Sequence, residues 1–310
     1  MNTELRNKID EELPAILKQA KATLAVNKMM HVAGDRIKLP LEGRDIEIVY
    51  YRSDREHAPL IVGYHSGGWL FGGCALNDKM WSYIRDNMHV NIASVGYRMA
   101  PKYKWRDSLA DAYDSAMYLA TRSREFGFDK DNISLMGMSA GGNMAAAVCI
   151  KALKKGMMPF RHLLLLYPLL DVATEPETKG PEHYGGPSAY MMNEQHIEMA
   201  ETKDPLASPV FASIDELRGF PRTLCFAAEH DALKHEDLKF TEMIREAGSA
   251  ATYVEAQNMA HCYFELGFRN KLTPFEEEFI GEKGVYAFES GMMETEAIET
   301  YKLIKEELEL

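Results

Sequence analysis

The chain has 310 residues, of which 46% are hydrophobic, and this is enough to bury a sizeable core. Asp and Glu outnumber Lys and Arg by 47 to 35, which gives a formal net charge of −12. Such a balance argues against nucleic acids and anionic membranes as partners, because both require basic surfaces. The length itself fits one large α/β domain or two small domains.

The N-terminal residues 1–8 lack the apolar core of a signal peptide, and no stretch approaches the length of a membrane span. A cytoplasmic location is therefore the expectation. The cysteines stand singly, without the close pairs of a zinc site or a redox motif, so we expect reduced thiols at Cys74, Cys149, Cys225 and Cys262.

The first predicted element is a helix. Residues 3–30 carry apolar side chains at three- and four-residue spacing, which predicts an amphipathic helix that breaks or restarts at Pro14. Two short strands, Asp35–Leu39 and Asp45–Arg52, follow around a turn at 41–43 and predict a hairpin. The N-terminal helix is a candidate part of a lid, and its alternative role is packing on the domain surface.

A third strand, Pro59–His65, ends in a glycine-rich loop that reads His65-Ser66-Gly67-Gly68-Trp69 and continues to Phe71-Gly72-Gly73. The loop has neither the Gly-Lys-Ser/Thr of a phosphate-binding loop nor the dinucleotide spacing, so nucleotide binding is not expected. The pattern that follows predicts a helix at Leu76–Met88, a strand at Val90–Tyr97 and a helix from about 106 to 125.

The central pattern is Gly-x-Ser-x-Gly at Gly137, Ser139 and Gly141. An apolar strand, Ile133–Met138, gives way without a spacer to a helix over Ala140–Lys155. Such a sharp turn lifts the serine hydroxyl above the sheet edge and places it beside the helix N-terminus, where an oxyanion is stabilised. The alternative is a glycine-rich turn with an incidental serine.

The second half continues the alternation of strands and helices. Further strands are predicted at His162–Pro168, Arg222–Ala228 and Thr252–Ala256, with a helix at Glu236–Gly248 and a weakly helical stretch at Tyr190–Thr202. The alternation predicts a mainly parallel, eight-stranded sheet with helices on both faces. We expect one core domain, 32–310, with a cap made of residues 1–31 and an insertion at about 171–209.

Two polar segments follow the last two predicted strands. Asp231 comes directly after the first of these strands, and His261 comes after the second. Ligands of open α/β sheets bind at this edge, and the order Ser139, Asp231, His261 is that of α/β-hydrolase triads. Taken singly, Asp231 could be a loop acid and His261 a surface or core histidine.

At this point the chain resembles the hormone-sensitive-lipase-like branch of the α/β-hydrolase family, with its bacterial carboxylesterases and acetyl esterases, over approximately residues 45–265. The motifs that carry the resemblance are the oxyanion loop at His65–Trp69, Tyr97-Arg98-Met99-Ala100-Pro101-Lys102, the elbow at Gly137–Gly142, Asp231-Ala232-Leu233 and His261-Cys262-Tyr263-Phe264. The departures from the family pattern are Ser66, Met138, Ala232 and Cys262.

The resemblance implies Ser139 as nucleophile, Asp231 as triad acid and His261 as base. It also implies an oxyanion hole formed by the backbone N–H groups of Gly67, Gly68 and Ala140, with His65 bracing the loop. Ser66 stands in place of a motif glycine, and the hole survives if Ser66 adopts the required backbone geometry. The tail from Leu266 onward, with a terminal helix at Glu294–Leu308, carries no motif that informs on chemistry.

The reaction that these features imply is hydrolysis of small soluble carboxylic esters with short to medium acyl chains, through an acyl-serine intermediate and without a metal or organic cofactor. Candidate pocket residues are Trp69, Phe71, Tyr190 and Phe211, with Tyr184, Met191 and Met192 in the cap insertion; alternatively, they pack the cap onto the core.

An amidase, lactonase or deacetylase with the same triad remains open, as does a non-catalytic small-molecule receptor. A homodimer through an edge strand or the terminal helix is a further hypothesis.

Overall fold

The computed structural model describes residues 3–180 and 186–309, and these contain an eight-stranded sheet. The strands are β1 (Asp35–Leu41), β2 (Arg44–Tyr51), β3 (Ala58–Tyr64), β4 (Asn91–Val95), β5 (Phe128–Met138), β6 (His162–Leu166), β7 (Arg222–Ala228) and β8 (Ala251–Ala256). Their order across the sheet is β1-β2-β4-β3-β5-β6-β7-β8. β1 and β2 form the predicted hairpin, β2 is antiparallel to β4, and the remaining pairs are parallel.

Helices cover both faces of this sheet. They are α1 (Thr3–Met29), α2 (Asp78–Met88), α3 (Trp105–Ala120), α4 (Ser123–Phe126), α5 (Ala140–Lys154), α6 (Gly186–His196), α7 (Lys234–Glu246), α8 (Tyr263–Leu266), α9 (Pro274–Glu289) and α10 (Met292–Glu307). Apolar side chains of α3, α5 and α7 pack on one face, and those of α2, α8, α9 and α10 pack on the other. The predicted doubly covered, mainly parallel sheet is confirmed.

The inner strands are apolar on both sides, as parallel strands between two helix layers require. In β5, Leu135 packs into the cluster under α3 and α5, while its neighbour Met136 packs into the cluster on the opposite face. β5 begins at Phe128, five residues before the predicted start at Ile133. All the parallel strands from β3 to β8 therefore bring their carboxyl ends to one edge.

The N-terminal helix corrects one prediction. α1 runs without a break through Pro14, where a break or restart was expected. Proline removes one helical hydrogen bond, but the buried side chain of Ile9 packs with Tyr190 and Met191 of α6 and holds the helix in place. An ion pair between Arg6 and Glu194, with nitrogen and oxygen 2.7 Å apart, also joins α1 to α6.

The inserted segment also differs in detail from its prediction. The helix expected at 190–202 begins earlier, at Gly186, and ends at His196, and a short 3-10 turn follows at Met199–Glu201. None of the helices in the described ranges combines the length and the apolar character needed to cross a bilayer.

Candidate active site

Ser139 occupies a sharp turn between β5 and α5. Its φ is 53° and its ψ is −120°, a conformation that non-glycine residues rarely adopt. The turn is held by its own backbone, because the Ser139 N–H donates to the carbonyl of Leu166 at 3.0 Å and its carbonyl accepts from the N–H of Asn143 at 3.1 Å. A Cβ on Gly141 would overlap the carbonyl oxygen of Tyr64, so a larger residue would push the helix away from β3.

The structure brings the predicted triad together at the carboxyl edge of the sheet. The hydroxyl of Ser139 lies 2.8 Å from Nε2 of His261, and Nδ1 of His261 lies 2.5 Å from Oδ2 of Asp231. All three side chains are buried, with relative exposures of 6%, 2% and 0% for the serine, histidine and aspartate. Since the aspartate accepts from Nδ1–H, Nε2 is left to accept the serine proton.

Two aromatic rings fix the imidazole of His261 from the sides. The ring of Tyr167 meets it edge-on with centroids 5.0 Å apart, and the ring of Phe279 does so at 5.5 Å. The Tyr167 hydroxyl donates to the carboxylate of the buried Glu265. Burial, and next the charge of Glu265, raises the pKa of Tyr167 well above its usual value, so the phenol stays protonated as a donor.

The predicted oxyanion loop follows β3 and faces the serine across the same cavity. Gly67 and Gly68 have φ of 112° and 57°, which glycine adopts without strain. The N–H groups of both glycines and of Ala140 have no acceptor within residues 3–180 and 186–309. Three unpartnered backbone donors near one hydroxyl are the arrangement that an oxyanion requires.

Ser66 leaves this loop intact. Unlike the glycines that follow it, Ser66 has a negative φ, so the substitution of a motif glycine by serine introduces no backbone strain here. Its carbonyl accepts a hydrogen bond of 2.7 Å from Nδ1 of His65. The imidazole of His65 stacks on the ring of Tyr97 with centroids 4.2 Å apart, which fixes the loop from beneath.

His65 is neutral at physiological pH. Complete burial lowers its pKa to about 4, against the weaker opposing effect of the bond to the Ser66 carbonyl. The imidazole therefore acts in the loop as an uncharged donor and a stacking partner.

A cavity of about 230 Å³ opens over Ser139 and His261. The backbone of Gly67 and Gly68 forms one wall, and the rings of Trp69 and Phe71 contribute to the same side. Pockets for drug-sized ligands measure roughly 300 to 1,000 Å³, so this cavity is suited to a small molecule.

A family model described as "alpha/beta hydrolase fold" matches residues 61–265. The chain belongs to the α/β-hydrolase family. The family predicted from the sequence motifs is thereby confirmed, and so is the fold.

Relatives and solved structures agree with this assignment. The chain is 23% identical over 265 residues to an arylesterase of Saccharolobus solfataricus, covering 84% of this chain and 83% of the relative. It is 27% identical over 254 residues to the carboxylic ester hydrolase LipN of Mycobacterium tuberculosis, covering 76% of this chain but 66% of LipN, just under two thirds of that protein. A solved structure of a Pyrobaculum calidifontis esterase is similar with a TM-score of 0.74 and 26% identity, covering 97% of this chain and 99% of that one.

Within this α/β-hydrolase, the predicted pocket residues separate into two groups. Trp69 and Phe71 line the cavity, whereas Tyr190 and Phe211 do not. Tyr190 packs with Ile9 at the contact of α1 with α6, and the Phe211 ring lies under the ammonium groups of two surface lysines.

The two methionines of the cap insertion lie at different places. Met192 lies directly over Gly68, where a Cβ on the glycine would overlap its sulfur, while Met191 packs with Tyr190 in the contact between α1 and α6. Tyr184 lies outside the described residues. Of the cap residues considered from sequence, Met192 is therefore the one placed at the catalytic cavity.

The tail contributes more to the site than its sequence indicated. The cavity is lined by Phe275, Glu276, Phe279 and Ile280 of α9, a part of the chain that carries no catalytic motif in its sequence. A usable signal was present, since the capping box at Thr273 and Glu276 marks the start of α9 and the two phenylalanines lie four residues apart on one helix face.

Proposed function

We propose that this α/β-hydrolase is a serine carboxylesterase that cleaves small soluble esters with short to medium acyl chains. The observation that carries the proposal is the continuous hydrogen-bonded series Asp231–His261–Ser139, which ends in a hydroxyl at the wall of a small cavity. A serine becomes nucleophilic when an oriented base accepts its proton, and this series supplies that base. The names of the esterases among its relatives support the same reaction class.

The reaction follows from the placement of the groups. Ser139 Oγ attacks the ester carbonyl carbon while His261 Nε2 takes its proton, and Asp231 stabilises the resulting imidazolium. The oxyanion of the tetrahedral intermediate accepts hydrogen bonds from the N–H groups of Gly67, Gly68 and Ala140. His261 then returns the proton to the departing alkoxide oxygen, and the carbon–oxygen ester bond breaks.

Water completes the cycle. His261, again neutral, removes a proton from a water molecule that attacks the acyl-serine carbonyl, and the second tetrahedral intermediate releases the carboxylic acid as Ser139 regains its proton. No group outside the triad and the backbone donors is needed for either half-reaction.

The size and lining of the cavity support the substrate class. Aromatic rings of Trp69, Phe71, Phe275 and Phe279 surround a volume of about 230 Å³ next to the nucleophile. These surfaces favour a compact apolar acyl or alcohol group over a long chain.

The test is hydrolysis of p-nitrophenyl acetate, butyrate and octanoate by the wild type and by Ser139→Ala under matched conditions. We expect turnover of the shorter esters by the wild type and a loss of at least about 10³-fold in the variant, since the nucleophile is absent. A folded wild-type protein that cleaves none of the three would contradict the esterase proposal and favour the receptor. Faster cleavage of matched anilides or lactones would favour the amidase or lactonase.

A further inference from the structure

The catalytic cavity contains a carboxylate that the hydrolytic mechanism does not use. Glu265 belongs to α8, four residues after the base His261, and it lines the same cavity as Ser139. Its side chain is 97% buried, as its relative exposure is 3%. Glutamate is rarely buried to this extent unless a partner compensates for the lost solvation.

The compensation inside the protein is incomplete. Oε2 of Glu265 accepts a hydrogen bond from the hydroxyl of Tyr167. Among the described residues no donor reaches Oε1. This oxygen is not fully sealed from solvent. Because Glu265 lines the cavity, a ligand bound in the cavity can interact with Oε1.

The other charged groups in the cavity do not neutralise Glu265. Arg269 lines the cavity as well, but its guanidinium pairs with Glu276 and also bonds to the side chain of Asn77. Asp231 lies outside the cavity lining and bonds to His261. Among the described residues, no cationic side chain therefore pairs with the carboxylate of Glu265.

The aromatic lining suits the same kind of ligand. Phe275 and Phe279 stack on each other with ring centroids 5.9 Å apart. The ring centroid of Phe71 lies 4.9 Å from that of Phe275. A cation is attracted both by the faces of such rings and by a nearby carboxylate. A small cavity with these two features discriminates between a charged group and a neutral group of the same shape.

We infer that Glu265 is a specificity-determining residue that selects esters carrying a cationic substituent, an ammonium group, in the acyl or alcohol part. The inference rests on the proposed esterase function and narrows its substrate class. Binding of the cationic group in the cavity places a positive charge beside the Glu265 carboxylate while the ester carbonyl lies at Ser139.

The kinetic test uses ester pairs that differ only in charge. Acetylcholine and 3,3-dimethylbutyl acetate place the difference in the alcohol, and the p-nitrophenyl esters of 4-(trimethylammonio)butyrate and 5,5-dimethylhexanoate place it in the acyl chain. We expect kcat/KM to favour the cationic member of at least one pair, and Glu265→Gln to reduce that preference by about tenfold or more. The neutral member should change little, because glutamine still accepts from Tyr167.

Two control variants distinguish selection of cationic substrates by Glu265 from a purely structural role. Glu282→Gln makes the same chemical change at an exposed position of α9, outside the cavity lining, and should leave the preference unchanged. Tyr167→Phe removes the hydrogen bond to Glu265 but leaves the carboxyl group in the cavity, so the cationic preference should persist. If Glu265→Gln slows both members of each pair equally, the residue only positions Tyr167 and the inference is overturned.

A binding measurement keeps the inference testable if no ester is cleaved. In Ser139→Ala, butylammonium should bind more tightly than 1-butanol in a ligand-observed NMR titration, and Ser139→Ala/Glu265→Gln should lose the difference. Equal affinities in the first protein would overturn the role of Glu265, whatever the reaction. Absence of ester hydrolysis together with a retained ammonium preference would contradict only the esterase proposal.

Discussion

Ser139 stores backbone strain at the point where its hydroxyl is needed. A non-glycine residue in an unfavourable conformation costs about 1–3 kcal/mol, and the turn at φ 53° is retained because hydrogen bonds to Leu166 and Asn143 fix it on both sides. The strained turn holds the hydroxyl 2.8 Å from His261 before any substrate arrives. The strain lowers the stability of the fold but preorganises the hydroxyl that we propose as the nucleophile.

Asp231 gives the first prediction at the scale of a residue. Asp231→Asn keeps the shape of the side chain but offers an amide N–H toward Nδ1 of His261, which favours the wrong tautomer. We expect kcat on p-nitrophenyl butyrate to fall by roughly 10³- to 10⁴-fold with little change in the free energy of unfolding. A variant that keeps more than a tenth of the wild-type rate would remove Asp231 from the triad.

Gly68 gives the second prediction at the scale of a residue. Gly68→Ala adds a Cβ that overlaps the sulfur of Met192, on a backbone with φ of 57°. We expect a loss of activity of 10²-fold or more because the change moves the Gly68 N–H, a proposed oxyanion donor, and losses of this size are typical when such a donor is removed. The additional change Met192→Ala should restore part of it by removing the clash.

The matched control for Gly68 is Gly43→Ala in the β1–β2 turn, where φ is 74° and no atom lies within 4 Å of the added Cβ. It introduces comparable backbone strain, so it should lower the unfolding midpoint without changing kcat/KM. Equal activity losses in both variants would show that strain alone, rather than displacement of the donor, explains the effect.

At the scale of an element, we expect α9, which lines the cavity, to limit how far an acyl or alcohol chain extends. Phe279→Ala removes a ring that lies beside His261 and lines the cavity. We expect the ratio of octanoate to butyrate hydrolysis to rise several-fold, because the cavity lengthens. Tyr286→Ala, on an exposed position of the same helix, is the control and should leave the ratio unchanged.

The approach of α9 to the site is a product of close packing. A Cβ on Gly284 would lie 2.9 Å from that of Ala260, so the glycine lets the helix pack against the segment that carries the base. Gly281 interrupts the helix with φ of 69° and ψ of 177°. The capping box and the paired phenylalanines mark α9 in the sequence, but the approach of Gly284 to Ala260 cannot be deduced from a pattern within the helix.

At the scale of the whole molecule, the fold and the meeting of Ser139, Asp231 and His261 could be predicted because each depends on local signals at strand ends. The glycines at 137 and 141, and the polar residues after β7 and β8, mark where catalytic groups leave a parallel sheet. Pocket residues are different, because their position depends on which distant helix covers the edge. Aromatic character alone therefore could not distinguish Phe71, which lines the cavity, from Phe211, which does not.

The pH dependence of stability provides a prediction for the molecule as a whole. His65 is buried with a pKa lowered to about 4 from an ordinary value of 6.5, so between these values the unfolded chain binds more protons than the folded one. Its contribution, on the order of 3 kcal/mol, is present above pH 6.5 and is lost as the pH falls toward 4.

The measurement is the difference in unfolding free energy between wild type and His65→Asn at several pH values, which cancels the other titrating groups. The wild type should lose stability relative to the variant between pH 6.5 and 4, and the difference should be constant above pH 7. A difference that does not change over the acid range would mean that His65 is protonated in the folded state.

Ser139 and His261 are 122 residues apart along the chain, and His261 follows β8, the last strand of the sheet. At synthesis rates of about 5–20 residues per second, Ser139 leaves the ribosome roughly 6–24 s before His261. During that interval the proposed nucleophile has no base to accept its proton. On the proposed mechanism, hydrolysis therefore begins only after the last strand, β8, has been synthesised.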